Sequence, residues 1–176
     1  MKFKETSMQG PMLIEPEVKC DNRGNFFRAY CEKEFLNNGI DCTFVQDSIS
    51  VNLKKNTIRG LHMQLPPYQE DKLVRCLQGA ILDVIVDMRV ESKTYLNYYK
   101  IKLTQENNLS LYIPKGFAHG FQTLENNSLV YYKMSQEFNQ SAYTGFYYLD
   151  PKIGIAWEAM TDEVTISNQD KGWKLL

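Results

Sequence analysis

Histidine and tryptophan are what this 176-residue chain has least of, two residues each; the histidines are His62 and His119, beside eleven tyrosines and nine phenylalanines. Its four cysteines, Cys20, Cys31, Cys42 and Cys76, include no CxxC pair. A zinc site built on paired Cys and His ligands is therefore excluded as an expectation. Excess charge is missing too, since lysine plus arginine (20) nearly cancels aspartate plus glutamate (21). That removes the general attraction to nucleic acid or anionic membrane, and leaves any anionic ligand to local clusters. The longest apolar run, ILDVIVDM at 81–88, is broken by Asp83 and Asp87, far short of a membrane span. The amino terminus, MKFKETSMQGPM, has no apolar signal-peptide core. Free thiols in a reducing cytoplasm are the expectation. Repeats, linkers and low-complexity segments are also lacking, so one domain over residues 1–176 is expected.

What is present is a succession of short β-rich runs closed by turn residues. TFVQDSISVNL (43–53) alternates, with Phe44, Gln46, Ser48 and Ser50 on one face. KLVRCLQG (72–79), AILDVIVDM (80–88), YYKIKL (98–103), LSLYIP (109–114), FQTL (121–124) and LVYYKM (129–134) follow. Helical periodicity is nearly absent outside EKEFLNNG (32–39) and the carboxyl end. Regular short strands of this kind predict an all-β antiparallel double-sheet jelly roll with a few short helices.

Both histidines sit beside turn signals. IPKGFAHGF (113–121) holds a P-x-G-x-x-H pattern: proline ends a strand, glycine turns, and the chain restarts at Phe121 with His119 at the lip. His62, in RGLHMQLPPYQEDKLVRC (59–76), follows a short strand and precedes Pro66-Pro67. The pair is similar to the double motif of the cupin superfamily, whose barrels often hold a metal. Here the first motif offers only His62, Gln64 and Glu70 where three good ligands are wanted, so no metal is expected. Imidazole suits proton transfer near neutral pH instead.

DNRGNFF (21–27), FVQDSIS (44–50), IRGLHMQLPP (58–67), DKLVRCLQGAILDVIVDMR (71–89), IPKGFAHGF, VYYK (130–133) and DPKIGIAWE (150–158) together resemble the dTDP-4-dehydrorhamnose 3,5-epimerases. The resemblance implies a cupin-like, metal-free and cofactor-free enzyme acting on a nucleotide-diphosphate 4-keto-6-deoxy sugar, in deoxysugar and surface polysaccharide synthesis. It implies His62 as base, Asp170 as the carboxylate partner of His62, Tyr132 as proton donor from the other face and Lys72 near the C4 oxygen. It implies Arg23, Phe26, Arg28, Gln46, Arg59 and His119 as substrate-binding residues, with Asp83 as an acid near the base. A homodimer is implied as well, in which Arg23, Phe26 and Arg28 complete the partner's site.

Bland readings stand beside these. Ser167-x-x-Asp170 also reads as a helix-start capping box, and Tyr132 as a packed strand tyrosine like its neighbour Tyr131. The chain departs from the family at Arg28, where a glutamate is usual, at Ser48 in the Q-D-N run, and at Phe138, where a tyrosine often stands. These changes spare His62, Tyr132, Asp170 and Lys72 and fall on the outer site, so a shared reaction type with altered nucleotide or sugar recognition is expected, the base being left open among dTDP, GDP and CDP. Two alternatives remain open here. One is a 3,4-ketoisomerase, which has no use for an opposite-face acid. The other is a non-catalytic sugar-nucleotide-binding barrel, which has no use for His62 with Asp170.

Overall fold

The computed structural model describes residues 1–158 and 163–176. In chain order its elements are β1 (Lys2–Glu5), β2 (Met12–Glu15), β3 (Lys19–Asp21), β4 (Gly24–Phe26), α1 (Glu32–Asn37), β5 (Gln46–Asn52), β6 (Ile58–Gln64) and β7 (Lys72–Gln78). There follow β8 (Ala80–Asp87), β9 (Tyr98–Thr104), β10 (Ser110–Ile113), β11 (Phe117–Thr123), β12 (Ser128–Met134), β13 (Tyr143–Gly145) and α2 (Asn168–Lys171). The strands form a six-stranded sheet in the order β1-β2-β10-β7-β12-β5 and a five-stranded sheet in the order β13-β6-β11-β8-β9. A separate hairpin pairs β3 with β4. This is the expected double-sheet, cupin-like jelly roll. The strands that sequence pattern missed, β1 to β4 and β13, are three or four residues long, too short to show an alternation.

Alternation explains the layering. On β8, Ile81 and Ile85 join Val74, Cys76, Leu111, Val130 and Phe121 in a core drawn from both sheets. Leu82, Val84 and Val86 face the other way and are covered by Ile153, Ile155 and partly by Trp157 and Leu176. Both faces of β8 are therefore buried, and its sequence is correspondingly apolar apart from Asp83 and Asp87. Part of the outer face of the six-stranded sheet, at Ile14, Leu73 and Tyr112, is covered by α1. Phe35 packs edge-on against Phe3, Tyr30 and Phe44, a burial contributing about 1.5–3 kcal/mol.

Two expectations about the histidines need correction. His119 is not at a lip before a strand but inside β11, and His62 lies within β6 rather than after it. The turn at Pro114–Gly116 finishes early, and backbone pairing with β8 begins at Phe117. Ladder hydrogen bonds, which local sequence does not reveal, extend the strand through His119.

Candidate active site

Between the sheets opens a cavity of about 810 Å³, within the range of small-molecule sites. Arg59, His62 and His119 line it from the five-stranded sheet, and Gln46, Lys72 and Tyr132 from the six-stranded one. Asp170 reaches it from α2.

A β-bulge makes this possible. His62 pairs with His119 while Arg59 pairs with Phe121, so three steps along β6 match two along β11. Strict alternation would send Arg59 and His62 to opposite faces. The extra residue brings both to the cavity. Gly60 carries the bulge at φ +110°, where a Cβ would sit 2.6 Å from both the Gly120 Cα and the His119 carbonyl oxygen. Its N–H, turned out of the ladder, donates to Asp170 Oδ2 at 3.3 Å.

His62 Nε2 lies 2.6 Å from Asp170 Oδ1, and its ring keeps 24 % of its surface open. Asp170 is held by several groups at once. Its backbone N–H donates to Ser167 Oγ at 3.0 Å, and Trp173 Nε1–H donates to its Oδ1 at 3.2 Å. The helix cap and the histidine contact thus coexist, because the cap uses the backbone and leaves the carboxylate free. Burial pushes the Asp170 carboxyl up, but hydrogen bonding from His62, Gly60 N–H and Trp173 outweighs it and holds the group below the usual carboxylate range.

Tyr132 stands across the cavity on β12. Burial pushes its phenol up and the Asp83 charge adds to that, against an opposing pull from Arg59, so it stays protonated at neutral pH. Tyr131 points the other way and donates to Asp47 Oδ2 at 2.9 Å. Lys72 Nζ pairs with Glu70 Oε1 at 2.9 Å, and Gln64 Nε2 donates to Glu70 Oε2 at 2.7 Å. Arg59 Nε donates to Asn52 Oδ1 at 2.8 Å, fixing its fork.

Asp83 is not beside His62. Its Oδ1 lies 2.7 Å from His119 Nε2, while its buried Oδ2 has no partner among the described residues. The reason is register: Asp83 sits on β8, which neighbours β11, whereas His62 is one strand further away on β6. Among the described residues no group of three His, Cys, Asp or Glu side chains gathers.

Three expected residues are not brought to this chain's own cavity. Arg23 lies in the β3–β4 turn, 86 % exposed and paired with Asp21. Arg28 pairs with Glu34 at 2.8 Å, and Phe26 is 75 % exposed. Conversely, sequence reading missed four positions: Glu70 as partner of Lys72, Asn52 behind Arg59, Tyr143 with its ring 5.1 Å from that of His62, and Trp173. Neither Tyr143, one tyrosine among eleven, nor Trp173, which lies past the end of α2 at Lys171, carried a local signal.

A family model described as dTDP-4-dehydrorhamnose 3,5-epimerase matches residues 5–176. The curated dTDP-4-dehydrorhamnose 3,5-epimerase of Methanothermobacter thermautotrophicus is 41 % identical over 176 residues, covering 99 % of this chain and 94 % of its own. The crystal structure of the Bacillus anthracis enzyme with TDP and PPi bound superposes with a TM-score of 0.96 at 36 % identity, covering 99 % of each chain. The Legionella pneumophila epimerase, in complex with dTDP-4-keto-L-rhamnose, gives 0.94 at 34 %, covering 99 % of this chain and 92 % of that one. Matches of this extent, on a barrel with this cavity, make the chain a member of the dTDP-4-dehydrorhamnose 3,5-epimerase family, an isomerase of nucleotide-linked 4-keto-6-deoxy sugars.

Proposed function

We propose that the chain, acting as one domain over residues 1–176, inverts C3, C5 or both of a dTDP-linked 4-keto-6-deoxy sugar, with His62 as base and Tyr132 as acid. The observation that carries this reading is the disposition of the two groups. An imidazole backed by a carboxylate 2.6 Å away projects from one sheet, and a neutral phenol projects from the other across a single cavity.

The C4 ketone acidifies the hydrogens on both neighbouring carbons. His62 takes one proton, and the C–H electrons form the C=C bond of an enolate whose negative charge rests on the C4 oxygen. Lys72 meets that oxygen with its ammonium. Tyr132 then delivers its proton to the opposite face, the C=C electrons form the new C–H bond, and the ketone returns. Exchange with solvent reloads the phenol and discharges the imidazolium. Asp170 fixes the imidazole tautomer and stabilises its charged form. Arg59, His119 and Gln46 suit the sugar and diphosphate, Arg59 through its bidentate fork. The ligands bound by the relatives, TDP in one and a dTDP-linked sugar in another, support thymidine as the base here.

A homodimer belongs to the same reading. Strand β5 is a sheet edge, and Val45, Ile49, Val51 and Leu53 along it are all more than half exposed. An open apolar edge of this kind invites a second copy. The projecting β3–β4 turn then carries Arg23, Phe26 and Arg28 toward the neighbour's cavity. Four unpaired thiols are compatible with a cytoplasmic setting, and the product class suits deoxysugar and surface polysaccharide synthesis. The test is incubation with dTDP-4-keto-6-deoxyglucose in D2O. Deuterium appearing at C3 or C5 with inverted stereochemistry is expected, and a product whose carbonyl has moved to C3 overturns it.

A further inference from the structure

Asp170 has a third partner in addition to His62 and the Gly60 N–H. We infer that Trp173 is a positioning residue for the His62–Asp170 pair, holding the carboxylate by its indole N–H while Gly145 leaves room for the ring. The inference deepens the proposed function and rests on it.

The geometry is specific. Trp173 Nε1 donates to Asp170 Oδ1 at 3.2 Å, the same oxygen that His62 Nε2 meets at 2.6 Å. Asp170 Oδ2 takes the Gly60 N–H, so both carboxylate oxygens are anchored and the group cannot rotate away from the imidazole. The indole cannot slide either. A methyl built on Gly145 would overlap Cε2 and Nε1 of Trp173, so the ring lies directly on that backbone. Gly145 is itself the residue that pairs with His62 between β13 and β6. The indole is thus wedged between the base's strand partner and the base's carboxylate. Its ring stands 6.4 Å from the His62 ring and 6.0 Å from that of Tyr143, closing one side of the pair.

Sharing Oδ1 has a chemical consequence. A donor that draws charge from that oxygen weakens its grip on an imidazolium, so the pair is poised to take a proton and also to release it.

Two histidines in the whole chain make the test direct. Cε1–H NMR of the untagged full-length protein gives two ring signals, and His62→Asn removes one and so assigns it. In Trp173→Phe, which keeps a ring on Gly145 and deletes only the donor, the His62 signal at fixed neutral pH is expected to move while the His119 signal stays in place. Loss of one hydrogen bond to the carboxylate is expected to lower kcat by about three- to tenfold, while dTDP affinity stays as in the wild type. Gly145→Ala, which pushes the indole off its seat, acts the same way. An unmoved His62 signal in both variants, or a loss that lies in dTDP affinity rather than in kcat, overturns the positioning role. Exchange surviving in His62→Asn would instead overturn the base assignment, and would leave the NMR result as it stands.

Discussion

His62 and Asp170 touch at 2.6 Å although 108 residues of chain separate them. The contact joins the middle of β6 to a helix of four residues near the carboxyl end. In the proposed mechanism this partly open imidazole, backed by a mostly buried carboxylate, is the general base, kept in one tautomer. His62→Asn is therefore expected to lower kcat by roughly 10³-fold while leaving dTDP affinity within a factor of about two. Deuterium uptake at C3 and C5, read by NMR, checks it; uptake at the wild-type rate removes His62 from the mechanism.

In the proposed mechanism Tyr132 separates proton return from proton removal. In Tyr132→Phe, His62 still takes a proton, so exchange continues while inversion falls by about 10²-fold or more. Stereochemical analysis of the exchanged sugar distinguishes the two. The pH dependence follows from the direction of the shift. A phenol raised above its ordinary value of about 10 keeps its proton to higher pH, so no alkaline loss of kcat assignable to Tyr132 is expected below that. A limb centred near pH ~8.5 that vanishes in Tyr132→Phe would contradict this reading of the burial.

The carboxyl of Asp170 is depressed by folding, and that has a signed effect on stability. Its contribution is present above the free carboxylate value of about 3.9 and is lost as pH falls through the lower folded value. The gap in Tm between wild type and Asp170→Asn should accordingly be wide at neutral pH and close under strong acid. A gap that does not vary with pH would mean that the carboxylate's charge is not what folding favours.

Lys72 owes its place to Glu70, and Gln64 holds Glu70 in turn. Lys72→Met should cost roughly 10²–10³-fold in kcat with little change in dTDP affinity, since the ammonium acts on charge that develops only in the enolate. Glu70→Gln should fall between the two enzymes. Steady-state kinetics beside calorimetric dTDP binding decide whether the loss is in kcat, as expected, or in affinity.

The exposed β5 edge makes a prediction about assembly. Ile49→Glu places a charge in the apolar strip and is expected to turn a dimer into a monomer in sedimentation velocity at micromolar concentration. If Arg23 acts across that interface, the monomer also loses dTDP affinity, as Arg23→Ala does in the dimer. A wild-type monomer with full activity would sink the trans assignment.

Much of this protein was legible as sequence. Turn residues between short β-rich runs marked β5 and the strands from β7 to β12, and the face of β5 bearing Gln46, Ser48 and Ser50 is the one that lines the cavity. Strand alternation also separated Tyr131 from Tyr132, because it depends only on the local backbone. Asp170 was readable both as a cap and as a carboxylate partner, and it serves as both.

Tertiary structure alone decided the rest, because it depends on pairing between distant strands. Arg59 and His62 are three residues apart and by alternation belong on opposite faces; the bulge at Gly60 puts them on one, and only register with β11 reveals it. Asp83 went to His119 rather than His62 because strand order, not sequence distance, sets which side chains meet. Trp173 and Tyr143 joined the site by the same route, carried there by segments with no local pattern of their own. Local chemistry chose the groups, and the long-range ladder chose their neighbours.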